Sequence, residues 1–175
     1  VVVVTDASTT GLATTSSTTT TDSTRGSATT GSATTGSDTI AIGKQAAEDM
    51  SSGQYNVAIG RDSQSAATTG SCNVSIGMGS LGGGVLTGCD SIAIGGNALC
   101  SQTSGYDNIA IGRFAMQAAV SANRSVAIGF CALGAAAVTG CCNTVVGYAA
   151  GFSMTGDSNH NTVMGGSAGD NITSG

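Results

Sequence analysis

The chain contains no tryptophan and no proline, aromatic residues make up 3% of it and charged residues 9%, so an ordinary core of large side chains is excluded. A net charge of −5, with no run of lysine or arginine, argues against a nucleic-acid or anionic-membrane partner. No stretch approaches the roughly 20 consecutive apolar residues of a membrane helix, which speaks against membrane insertion, and Val1 to Val4 is too short for a secretory signal. One histidine, one glutamate and no recurring carboxylate pair leave no triad, metal centre or acid/base dyad, so no catalytic residue, no metal and no cofactor is expected. The glycines are not followed by Gly-Lys-Ser/Thr and form no phosphate loop. The repeat is also unlike calcium-binding Gly-Gly-x-Gly-x-Asp solenoids.

What is present is repetition. Ile40-Ala41-Ile42-Gly43 returns as Val57 to Gly60, Val74 to Gly77, Ile92 to Gly95, Ile109 to Gly112, Val126 to Gly129, Thr144 to Gly147 and Thr162 to Gly165. The glycines are spaced 17, 17, 18, 17, 17, 18 and 18 residues apart, the signature of a solenoid. Glycine twice per period and β-branched apolar columns are poor helix formers, so the repeat is read as β.

Alignment on the repeated glycine assigns a role to each position. One and three residues before it, six copies carry Val or Ile, with Ala or Ser between; this period of two is a strand with one branched and one flat face. The branched face is expected to point into the coil. The flat face, carrying Ala41, Ala58, Ser75, Ala93, Ala110 and Ala127, is then either an oligomer seam or a plain exposed wall.

Four residues before the glycine stand Thr39, Asn56, Asn73, Ser91, Asn108, Ser125, Asn143 and Asn161, suited to a corner bonded from coil to coil. Seven before it, Gly36, Gly53, Gly70, Gly88, Gly105, Ala122, Gly140 and Ser158 suggest a second corner with a positive backbone angle. Three after it, Ala46, Ser63, Ser80, Ala98, Ala115, Ala132, Ala150 and Ala168, followed in the middle copies by Leu81, Leu99, Met116 and Leu133, suggest a second short strand. The prediction is an all-β parallel solenoid, or β-roll, of about eight coils over residues 36–175, rising about 4.8 Å per coil.

The phrase Asn-Val-Ala-Ile-Gly, at Asn56 to Gly60 and nearly repeated at Asn108 to Gly112 and Ser125 to Gly129, resembles the head repeats of YadA-like trimeric autotransporter adhesins and the similar repeats of phage tail fibres. The resemblance implies a left-handed roll, three chains side by side, an extracellular, cell-surface or virion location, and adhesion or appendage function. The repeat here is longer than the typical adhesin head repeat, and neither neck, coiled-coil heptads nor membrane anchor is seen.

Residues 1–35 differ in kind. Thr9 to Thr35 is nearly all Thr, Ser, Ala and Gly and lacks the Val/Ile columns, so it reads as a linker, degenerate coils or a stalk. Val1, Val2, Val3 and Val4 are strong strand formers that either add to a neighbouring subunit or form a local cap. Thr173-Ser174-Gly175 matches Thr34 to Gly36, so the sequence stops in phase with a ninth coil; the expectation is a longer fibre or end-to-end stacking.

Cys72 and Cys89 occupy nearly the same corner in adjacent coils, compatible with a disulfide or with two free thiols. Cys141 and Cys142 are vicinal at that corner, and the absence of Cys-x-x-Cys with only His160 argues against zinc. The sequons at Asn73, Asn123 and Asn171 are what a chain this rich in Ser and Thr produces by chance. Lys44, Arg61, Arg113, Phe130 and Tyr148, each next after the repeated glycine, form an expected outward contact column.

Two functional classes follow. One is a structural, non-enzymatic fibre module whose partner is itself, as a trimer or an end-to-end filament, with a host surface receptor or glycan as a further partner. The other is a ligand-binding solenoid for glycan or ice. Adjacent threonines such as Thr34-Thr35 and Thr68-Thr69, of which one per pair can face outward, argue against ice.

Overall fold

A computed structural model describes residues 39–134, 138–155, 158–170 and 172. The N-terminal segment, including Val1 to Val4, and Thr173 to Gly175 lie outside the described residues. The fold is all-β, a parallel β-solenoid with coils of about 17 residues. Among the described residues, eight three-residue strands, β1 (Ile40–Ile42), β2 (Val57–Ile59), β3 (Val74–Ile76), β4 (Ile92–Ile94), β5 (Ile109–Ile111), β6 (Val126–Ile128), β7 (Thr144–Val146) and β8 (Thr162–Met164), form one parallel sheet in chain order. Equivalent residues pair in register, Ala41 with Ala58 and Ala93 with Ala110, so each sequence column is also a column in space.

The sheet faces the opposite way from the sequence expectation. Ala58, Ser75, Ala93, Ala110 and Ala127 are 0% exposed, whereas Ile40, Ile42, Ile76, Ile111 and Ile128 are exposed. The alanine column, including the half-buried Ala41, therefore lines the interior and offers no outer seam. The reason is volume. From the far wall Leu81, Leu99, Met116 and Leu133 enter the same narrow interior, which leaves room for only Ala or Ser on the strands opposite. Where the far-wall residue is glycine the strand residue grows: Val145 accompanies Gly151 and Val163 accompanies Gly169. A Cβ built on Gly151 would stand 3.3 Å from Val145 Cγ1, and one on Gly169 2.7 Å from Val163 Cγ1.

The expected second strand is instead a chain of turns. Residues two and four after the repeated glycine take positive φ, among them Asn97 (56°) and Leu99 (50°) in one coil and Phe114 (62°) and Met116 (50°) in the next. Backbone bonds still link the coils here, such as Leu99 N to Ala115 O at 3.0 Å and Met116 N to Ala132 O at 2.9 Å. This satisfies the peptide groups without an extended wall.

The asparagine corner forms as expected. Asn73 Nδ2 donates to Gly88 O at 3.0 Å and its Oδ1 accepts from Ser91 N at 3.0 Å; Asn108 Oδ1 accepts from Ser125 N at 3.1 Å. Asn73 is fully buried, so its sequon presents no acceptor in the folded coil. The corner seven residues before the repeated glycine is corrected in one respect. Gly53, Gly70, Gly88, Gly105 and Gly140 there do not take positive φ; each lies so near the next coil's carbonyl that a Cβ would collide with it. Positive φ belongs to the repeated glycine itself: Gly60 has φ 128°, and a Cβ there would lie 2.6 Å from Gly77 O.

Candidate functional site: the outer sheet face and two surface columns

The outward face of β1 to β8 carries two parallel columns of branched apolar side chains. Ile42, Ile59, Ile76, Ile94, Ile111, Ile128, Val146 and Met164 form one, and Ile40, Val57, Val74, Ile92, Ile109 and Val126 the other, ending in Thr144 and Thr162. All are exposed or half-buried, with Ile76 at 38%. Registered pairing repeats this pattern once per coil, giving a flat apolar strip as long as the sheet. Exposed strips of this kind on soluble proteins mark association surfaces.

Beside this strip runs the column that follows the repeated glycine. Lys44, Arg61, Arg113, Phe130 and Tyr148 are all exposed there, as the sequence predicted. The structure brings the last three together and adds Phe114, which the sequence reading missed. The Arg113 guanidinium lies 4.3 Å from the Phe114 ring centre, Phe114 meets Phe130 edge-on at 6.1 Å, and Phe130 stacks on Tyr148 at 5.4 Å and 11°. Tyr148 is 64% exposed and caps this ladder. Lys44 and Arg61 stand apart from it, because Met78 and Gly96 occupy the same position in the two intervening coils. The Arg61 guanidinium turns to its neighbour Asp62 at 3.3 Å and to Met78 Sδ at 2.8 Å.

A third column lies five residues before the repeated glycine, where Tyr55, Cys72, Asp90, Asp107, Arg124, Cys142 and His160 all take φ between 49° and 63°. The residue level with Cys72 in the next coil is therefore Asp90, and Cys89 is offset by one position. Both cysteines are free thiols in this structure. The Asp90 carboxylate beside Cys89 pushes its thiol pKa up by accepting its hydrogen, and burial and the charges of Asp90 and Asp107 add to the effect.

Farther along, Cys142 and His160 are level in adjacent coils and Cys141 sits next to them; one ligand atom from each lies within 4.8 Å of the others. Cys-x-x-Cys spacing gives no signal for this cluster. In a solenoid the relevant spacing is one coil, and Cys142 and His160 are 18 residues apart.

Among the described residues no helix is long and apolar enough to cross a membrane. Compared with known proteins, the chain matches no family model, no curated protein and no solved structure.

Proposed function

We propose that the chain is a structural, non-enzymatic module of an extracellular fibre or appendage, assembling with copies of itself through the outer Val/Ile face of the sheet. The observation that carries this reading is the exposed apolar strip, repeated in register over all eight strands. Its rows recur at the roughly 4.8 Å interval of stacked strands, and the surface that matches such a ruled face along its length is another coil stack with the same interval. Lateral packing of copies removes these side chains from water and gives a stiff rod, as in a trimeric adhesin or tail-fibre shaft; a self-assembling filament uses the same rod end to end. The resemblance of Asn56 to Gly60 to adhesin head repeats supports the same assignment.

The test is the mass of the purified chain in solution by light scattering, with electron microscopy of the same sample. Discrete rods of three-chain mass or filaments support the proposal, and a single-chain mass at all concentrations overturns it. A second reading, glycan binding, is favoured by one observation: the Phe114, Phe130 and Tyr148 ladder offers stacked aromatic faces beside the Arg113 cation, the kind of platform on which sugar rings stack.

A further inference from the structure

We propose that Cys141, Cys142 and His160 form a binding site for a soft divalent cation of the Zn2+ type. Their ligand atoms lie within 4.8 Å of one another, and the two sulfurs are 3.2 Å apart. A tetrahedral zinc with bonds of about 2.3 Å to sulfur and about 2.0 Å to nitrogen needs donors roughly 3.5–3.8 Å apart. The cluster reaches that geometry when the two thiols open by about half an ångström and the imidazole nitrogen, within 4.8 Å of them, swings in to about 3.5 Å, both side-chain rotations about exposed or half-buried bonds.

The backbone already holds the three residues in place. Cys142 N donates to Asn123 O at 3.0 Å and His160 N to Cys141 O at 3.1 Å, the same ladder that fixes this corner in earlier coils. Cys141 N donates to Asn159 Oδ1 at 2.8 Å, so the next coil anchors the first ligand as well. Cys142 (φ 63°) and His160 (φ 58°) share the left-handed conformation, which aligns their side chains one coil apart. All three are half-buried or exposed, so an ion has direct access from solvent.

The donor set selects the ion class. Two thiolates and one imidazole favour Zn2+ and its soft relatives over Mg2+ or Ca2+, which prefer oxygen. Binding replaces the two thiol protons, which pass to solvent, and uses the lone pair of one imidazole nitrogen. The resulting unit carries no net charge, so the Arg124 guanidinium, in the preceding coil and 5.4 Å over the Tyr106 ring, does not oppose it. Three protein ligands leave the fourth tetrahedral position to water.

The experiment is a titration of the full chain with Zn2+ under a non-thiol reductant, and with Co2+ as a spectroscopic probe. The expected result is one ion per chain and thiolate-to-cobalt charge-transfer absorption. His160→Asn and Cys142→Asn weaken binding about a hundredfold, the upper range for disturbing even a supporting partner. Asparagine is chosen because it tolerates the left-handed backbone of this column, and Cys72→Ser keeps the parent affinity. His160 is the sole histidine, so its ring proton signals report ligation in the unsubstituted chain and shift on addition of one equivalent of Zn2+. Absence of binding by the parent chain, unmoved His160 signals, or parent affinity in either asparagine variant overturns the site.

Discussion

Asn56 Oδ1 accepts the backbone N–H of Asn73 at 2.9 Å, one coil farther along and at the same corner. Asn56 Nδ2 meanwhile donates to Gly70 O at 2.8 Å, so one buried side chain satisfies main-chain groups on two segments of the next coil. Asn73 repeats the arrangement toward Ser91 and Gly88.

Removing one rung leaves its partners buried and unpaired. Asn73→Ala strands Ser91 N and Gly88 O and is expected to destabilise the fold by about 2–3 kcal/mol. Asn73→Ser costs less, because Ser91 and Ser125 already hold this position and their Oγ atoms accept from Asn108 N at 3.4 Å and Asn143 N at 3.2 Å. Denaturant unfolding of the two variants checks the order; equal losses would mean that the bond to the next coil's backbone contributes nothing to stability.

The interior makes a second prediction through its shared volume. Val145→Ala vacates the space that Gly151 leaves for Val145 and is expected to cost about 2 kcal/mol. Gly151→Leu alone crowds Val145 and Met154, since a Cβ at Gly151 already stands 2.7 Å from Met154 Sδ. The double variant recreates the Ala127 and Leu133 pairing of the preceding coil, and φ at Gly151 (57°) matches that of Leu133 (51°). With Val145 shortened, and only the flexible Met154 thioether left to swing aside, it should be more stable than Gly151→Leu alone, and a strictly additive double-mutant cycle would contradict this packing.

That compensation also explains what the sequence disclosed and what it hid. The strand columns, the coil length and the asparagine ladder were legible because the period of 17 or 18 residues brings equivalent side chains into register. Which strand face points inward was not legible from alternation, since a period of two separates two faces without saying which is buried. Apolarity pointed to Val and Ile; the interior chose Ala because the far wall had already filled it with Leu and Met. The exchange of Ala with Leu for Val with Gly, at Val145 with Gly151 and Val163 with Gly169, was the available signal. The surface sites were hidden for another reason: Arg113 to Tyr148 and Cys142 to His160 are distant in the chain and adjacent only across coils.

Alkaline pH supplies a third test. Burial pushes the Cys100 thiol up, with a partly opposing bond from the backbone at Gly83. Below the ordinary thiol range, about 8.5, both folded and unfolded chains keep the proton and this group leaves stability unchanged. As pH rises through that value the unfolded chain releases its proton first, so stability falls until the raised folded value is passed. Cys89 and Cys131, also raised, act in the same direction. Denaturant midpoints measured from pH 7.5 to 10 should decline in the parent and decline less in Cys100→Ala; identical slopes would exclude the contribution of Cys100.

Neighbouring residues of β4 separate assembly from folding. Ala93 is fully buried and Ile94 lies on the outer strip. Ala93→Arg forces a long cation into an interior filled by Leu and Met and should abolish the fold, with loss of the strand signal in circular dichroism. Ile94→Lys leaves each coil closed, because its side chain lies outside the coil, and should lower the unfolding free energy of the isolated chain by no more than about 0.5 kcal/mol. On the proposed self-association face the same lysine, repeated in each copy, sets like charges against an apolar partner and should shift the light-scattering mass to that of a single folded chain. An Ile94→Lys protein that keeps the parent's mass would mean that assembly, where it occurs, uses another surface.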